Sequence, residues 1–217
     1  GICENEFQPG SGYKWFRGFS PCPAPQALTY DIPNAVSKLN KFFQFAWRKF
    51  GTDETKSYLL GFSQGGTIVQ SLGLLGMPNG FHNLLPSCVS ICGRLMPDFW
   101  DKNSTLGGMY RYRVNKNFQC IGHCKTEVLC LYGKNDEITP KEMAIEGDKF
   151  AQQLCRWGND HKDYKSVNFK LKEFDCGHEV CTEMIEEASL FLTNVTGFQN
   201  NRAKDYIYDL PDNPDWR

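Results

Sequence analysis

Between residues 57 and 75 an apolar run, Ser57-Tyr-Leu-Leu60, opens into Gly61-Phe-Ser63-Gln-Gly65-Gly66 and passes directly into a helical stretch ending near Leu75. Few folds accommodate such a segment. A short strand without polar alternation belongs inside a parallel sheet, where both faces are covered. The glycines beside Ser63 let strand and helix approach closely, which confines the serine to a strained turn above the sheet. The plain alternative is a glycine-rich strand-to-helix turn with a capping serine.

The rest of the chain repeats this alternation. Ala35, Val36, Leu39, Phe42, Phe43, Ala46 and Phe50 follow a helical period, predicting a helix from near Pro33 to Gly51 with Arg48 and Lys49 in its last turn. Strands are expected at 57–60, 88–92, 127–132 and 167–174. Thr139-Pro140-Lys-Glu142 reads as a capping box with Pro at the first helical position, opening a helix to about Trp157. Val180, Met184, Ala188 and Phe191 mark a last amphipathic helix. Strands alternating with helices specify an α/β architecture, a mainly parallel sheet with helices on both faces. Residues 7–33 read as a structured loop rich in Pro, Gly and aromatics, and 94–126 as a long polar excursion. The expected organisation is one domain over 1–196 and an extended tail over 197–217.

Composition removes several classes. Lys+Arg is 24 against 25 Asp+Glu, a net charge of -1, so no field draws the chain to nucleic acid. No apolar run approaches the roughly 20 residues that span a bilayer. The start, Gly1-Ile2-Cys3-Glu4, carries neither an initiator Met nor a targeting pattern. Ten cysteines are many for an intracellular chain and few for a disulfide scaffold. Cys88, Cys92 and Cys130 sit in apolar runs, where a free thiol acts as a small core hydrophobe. Cys120, His123 and Cys124 invite a zinc reading, but no second Cys/His pair at ligand spacing follows, so no metal or other cofactor is expected. With sequons at Asn103 and Asn194, the compartment stays open between an intracellular lean and secretion.

The chemistry starts from Ser63. In a strand-turn-helix setting G-x-S-x-G is a nucleophile elbow, and the helix behind it offers the Gln64 N–H to a developing oxyanion. A serine hydroxyl needs a base to take its proton, and the base needs an orienting acid. Of His82, His123, His161 and His178, only His178 follows a strand and precedes a helix, in Asp175-Cys-Gly177-His178-Glu179. Asp136 follows the preceding strand, with Glu137 as its competitor.

On these residues the chain resembles the acyl-protein thioesterase and carboxylesterase-phospholipase branch of the α/β-hydrolases. The shared motifs are Gly61-Phe-Ser-Gln-Gly-Gly66, Ser90-Ile-Cys-Gly93, Gly133-x-x-Asp136-x-x-x-Pro140, Gly177-His178-Glu179 and Trp15-Phe16, within residues 13–195. The resemblance implies hydrolysis of acyl esters or thioesters through an acyl-Ser63 intermediate, without cofactor, His178 as base and Asp136 as its orienter. It also implies that Trp15, Leu95 and Met96 line an acyl pocket; the alternative for such apolar residues is plain core. The family carries, upstream of Trp-Phe, a strand ending in a His-Gly loop that supplies a second oxyanion N–H, and neither precedes Tyr13. The nucleophile strand is therefore expected to have an open edge, a liability unless something covers it. Two readings follow: an active serine esterase or thioesterase, and a hydrolase-derived non-catalytic subunit whose open edge meets a protein partner.

Overall fold

The computed structural model describes residues 3–4, 13–15, 32–52, 57–75, 87–95, 126–160 and 167–196. The first helix, α1 (Ile32–Phe50), buries Ile32, Ala35, Phe43 and Trp47 on one face. It ends as its sequence predicts. Gly51 takes φ 62°, and the Thr52 N–H turns back to the Trp47 carbonyl at 3.1 Å, the paired signature of a Schellman stop.

Two residue pairs near the N-terminus, β1 (Cys3–Glu4) and β2 (Tyr13–Lys14), run antiparallel. The loop expected over 7–33 did not foresee this pairing, since two residues are too few to establish a period. The main sheet consists of β3 (Tyr58–Phe62), β4 (Ser87–Ile91), β5 (Thr126–Gly133) and β6 (Val167–Phe174), all parallel and in sequence order. Helix α2 (Gln64–Leu75) follows β3, α3 (Lys141–Asp160) follows β5 and α4 (Thr182–Thr196) follows β6. The four strands and their connecting helices match the expected α/β order.

Strand β4 is buried along its whole length because both of its faces are covered. Val89, Ile91, Leu129 and Leu131 point to one side and pack with Met184, Ala188 and Phe191 of α4. Cys88 and Val128 point to the other, where α2 comes so close that a Cβ on Gly73 would meet both side chains. Cys88, Cys92 and Cys130 are buried free thiols, as their apolar neighbours predicted. Burial pushes Cys88 up to about 12.

Strand β3 is the terminal strand of the sheet among the described residues, and it alternates outward and inward. Tyr58, Leu60 and Phe62 are exposed, Leu60 by 52%. Two local expectations need correction. The Thr139 hydroxyl donates to the Cys92 carbonyl at 3.1 Å instead of capping, and the Pro140 carbonyl accepts the first bond of α3, from Ala144. A tertiary acceptor out-competes the local cap. Val180 lies before α4 and is exposed, because the turn that carries His178 uses up those residues. Among the described residues no helix is long and apolar enough to cross a membrane.

Candidate active site

Ser63 ends β3 in a single-residue turn before α2, with φ 55°. An L-residue enters this left-handed region only when its surroundings impose it. Here the Ser63 N–H is held by the Ile91 carbonyl at 2.9 Å, and the Ser63 carbonyl accepts the Thr67 N–H at 3.0 Å. Gly61 makes the turn possible: a Cβ there would collide with the Gly65 carbonyl. The sharpness of the turn thus follows from G-x-S-x-G.

Asp136 and His178 arrive on the two adjacent strand ends. The Lys134 N–H donates to Phe174 O at 2.7 Å and the Asn135 N–H to Cys176 O at 3.0 Å, which ties the loop after β5 to the loop after β6. Gly133 permits this contact, since a Cβ would strike the Gly177 carbonyl. His178 Nδ1 lies 2.8 Å from Asp136 Oδ2 and 3.0 Å from Oδ1, and Nε2 lies 2.8 Å from Ser63 Oγ. A carboxylate only accepts, so Nδ1 carries the proton toward Asp136 and the neutral ring keeps Nε2 as an acceptor for the serine hydroxyl. The three residues chosen from sequence are brought into one hydrogen-bonded line.

Of the two candidate acids, Asp136 is buried and meets His178, while Glu137 is exposed. Asp136 Oδ1 also accepts the Ile138 N–H at 2.8 Å and the Thr139 N–H at 2.7 Å. This aspartate-centred turn fixes the carboxylate against rotation. The Phe62 ring rests on the imidazole, with centroids 5.2 Å apart and planes tilted by 41°. Nothing in the spacing signalled that contact, because a strand residue before the serine meets a loop 116 positions later only after the sheet assembles.

Cys92, a core thiol within the Ser90–Gly93 motif, follows β4 with φ 49° beside the line. Its thiol donates to the Glu179 carbonyl at 3.5 Å. The donor atoms of Cys92, Asp136 and His178 lie within 4.8 Å of one another, a possible metal set. The geometry favours the hydrogen-bonded line: His178 Nδ1 is committed to Asp136 and Nε2 to Ser63 Oγ.

Of the remaining expected residues, Gln64 opens α2 next to Ser63, and its side-chain Oε1 accepts the Trp15 N–H at 2.9 Å. The Trp15 indole lies against Gly65. Trp15 therefore reaches the elbow from 48 positions away. Leu95 is buried at a narrow crevice with Arg94, Met143 and Gly147, and none of Ser63, Asp136 and His178 lines it. Met96, His82, His123, His161, the Cys120–Cys124 cluster, Asn103 and the 197–217 tail lie outside the described residues.

Strand order, elbow and loop positions together define an α/β-hydrolase-like fold. Solved structures agree. An esterase designated PE8 superposes with a TM-score of 0.56 at 19% identity, over 85% of this chain and 71% of its own. The Bacillus cereus carboxylesterase gives 0.52 at 16% identity, over 76% of this chain and 62% of that one. A carboxylesterase from Mesorhizobium loti gives 0.58 at 13% identity, over 88% and 73%. The chain thus spans between about three fifths and three quarters of the length of these structures. No protein-family model and no curated protein matches the sequence.

Proposed function

We propose that this protein is a serine hydrolase that cleaves acyl esters or thioesters through an acyl-Ser63 intermediate. The observation that carries this reading is the unbroken line from Ser63 Oγ through His178 to buried Asp136, with 2.8 Å at each step. His178 Nε2 takes the hydroxyl proton as Oγ attacks the acyl carbonyl, then returns it to the leaving alcohol or thiol. Asp136 keeps the imidazole in the productive tautomer and balances the imidazolium that forms. The Gln64 N–H, at the start of α2, is the proposed donor to the oxyanion. Deacylation repeats the cycle with water as nucleophile. Every step uses side chains and backbone of this chain alone. Residues 1–196 form the hydrolase domain in this reading, 197–217 a tail, and Trp15 and Met96 the acyl-side lining, while Leu95, buried at a crevice that Ser63 does not line, falls to its plain-core alternative.

The alternative of a non-catalytic subunit draws on the exposed row Tyr58, Leu60 and Phe62 along β3, a surface suited to a partner strand. A fluorophosphonate probe on the purified chain separates the two. Labelling that is lost in Ser63→Ala, together with turnover of p-nitrophenyl esters or acyl thioesters, supports the hydrolase. Folded protein that neither labels nor turns over sinks it.

A further inference from the structure

Among the described residues two non-glycines take positive φ, Ser63 at 55° and Cys92 at 49°. They follow neighbouring parallel strands, β3 and β4, and the Ser63 N–H donates to the carbonyl of Ile91, just before Cys92. At Ser63 the strained turn presents the nucleophile. Cys92 takes no part in the hydrolytic line, and glycine would adopt its φ at lower cost. Its carbonyl and thiol are instead engaged on the two sides of the acid–base pair.

The Cys92 carbonyl accepts the Thr139 hydroxyl at 3.1 Å, and the Thr139 N–H donates to Asp136 Oδ1 at 2.7 Å. The Cys92 thiol donates to the carbonyl of Glu179, the residue after His178, at 3.5 Å. Its sulfur, an Asp136 carboxylate oxygen and a His178 ring nitrogen all lie within 4.8 Å of one another. We propose that Cys92 is a positioning residue for the acid–base pair, its carbonyl anchoring the Asp136 loop through Thr139 and its thiol anchoring the His178 turn through Glu179 O. This rests on the hydrolase reading and names the group that keeps acid and base in register.

Two strand ends supply the pair separately, Asp136 after β5 and His178 after β6, so their alignment depends on what joins the loops. Cys92, whose own N–H is fixed to Leu131 O at 2.8 Å, gives both loops a common post at the end of β4. The post is rigid: Gly93 beside it packs so tightly that a Cβ would strike Ser90 Oγ and the Gly66 backbone. Cys92 is fully buried, so its thiol has no water to turn to. Burial and the Asp136 charge push that thiol up to about 12, which keeps it protonated as a donor at neutral pH. A base misplaced by about 1 Å costs on the order of a hundredfold in rate, and a partly released one about tenfold.

The full chain and its variants are compared by fluorophosphonate labelling of Ser63 and by kcat and KM on a p-nitrophenyl ester, with urea midpoints to show that each is folded. Cys92→Ala should lower kcat and the labelling rate about tenfold with KM unchanged, and Cys92→Ser, which keeps a donor, should restore most of both. Should Cys92→Ala fail to fold, Cys92→Gly carries the same test, because glycine takes φ 49° freely. Thr139→Val cuts the other arm, so it should match Cys92→Ala, and the double variant should be little slower than either. Full-rate labelling of Cys92→Ala or Cys92→Gly, Cys92→Ser as slow as Cys92→Ala, or losses that multiply in the double variant would each overturn the proposal. The His178 Nδ1 proton is also read directly, as a low-field NMR resonance that is sharp in the wild type and broadened by exchange in Cys92→Ala. Its absence from the wild type, or an equally sharp line in Cys92→Ala, overturns the bridge whatever the activity. A wild type that shows the resonance and never labels counts against the hydrolase reading alone.

Discussion

His178 Nε2 stands 2.8 Å from Ser63 Oγ across 115 positions of sequence, and its other nitrogen is shared between both oxygens of Asp136. Residues that act as one unit lose function as one unit. Ser63→Ala and His178→Ala should each lower kcat by about 10⁴ or more, and the double variant should be little worse than either. Asp136→Asn should cost about 10⁴ by favouring the wrong tautomer. Steady-state kinetics on a p-nitrophenyl ester decide this; a double variant whose losses multiply would break the unit.

Phe62 packs its ring against the imidazole and is 39% exposed, so trimming it should spare the fold. Phe62→Ala should lower kcat about tenfold with little change in KM, and Phe62→Tyr should restore most of it. A rise in KM at constant kcat would make the ring a substrate contact instead.

Alkaline pH should unfold the protein progressively. Burial pushes Cys88 up to about 12, and burial with the Asp136 charge does the same to Cys92. Burial and its bond to Glu173 push Tyr132 up to about 12. Above about pH 9 the unfolded chain gives up these thiol protons while the folded chain keeps them. The folded state then binds more protons, so stability falls as pH rises, by up to about 1.4 kcal/mol per pH unit for each thiol. Urea midpoints under reducing conditions should drop steadily from pH 9 to 10.5, less steeply in Cys88→Ala. A flat midpoint in the wild type would contradict this.

Gly51 offers a clean test of backbone strain, because φ is 62° and a Cβ there would meet nothing within 4 Å. Gly51→Ala should destabilise by about 1 kcal/mol through conformation alone, and Gly51→Asn by less. Neither should alter probe labelling. Equal urea midpoints for Ala and Gly at this position would remove the Schellman stop from the account of α1.

Much of this was legible beforehand because it is local. The stop of α1 follows from one glycine, and β6 falls on the predicted 167–174, where side chains alternate from Val167 to Lys172. The elbow is legible for the same reason: the glycines that relieve its collisions are two residues either side of the serine. Where a local signal competed with a distant partner, the distant partner won, as when Thr139 turned its hydroxyl to Cys92 O.

The sequence by itself determined the kinds of residue available and their order along parallel strands, Ser63 before Asp136 before His178. It did so because periodicity and turn chemistry act over a few residues. Only the tertiary structure put Asp136 rather than Glu137 against His178, set the Phe62 ring on His178, joined the Trp15 N–H to Gln64 and placed Cys92 beside the base. Those choices depend on which strand ends become neighbours and which side chain is buried between them, and sheet assembly settles both together.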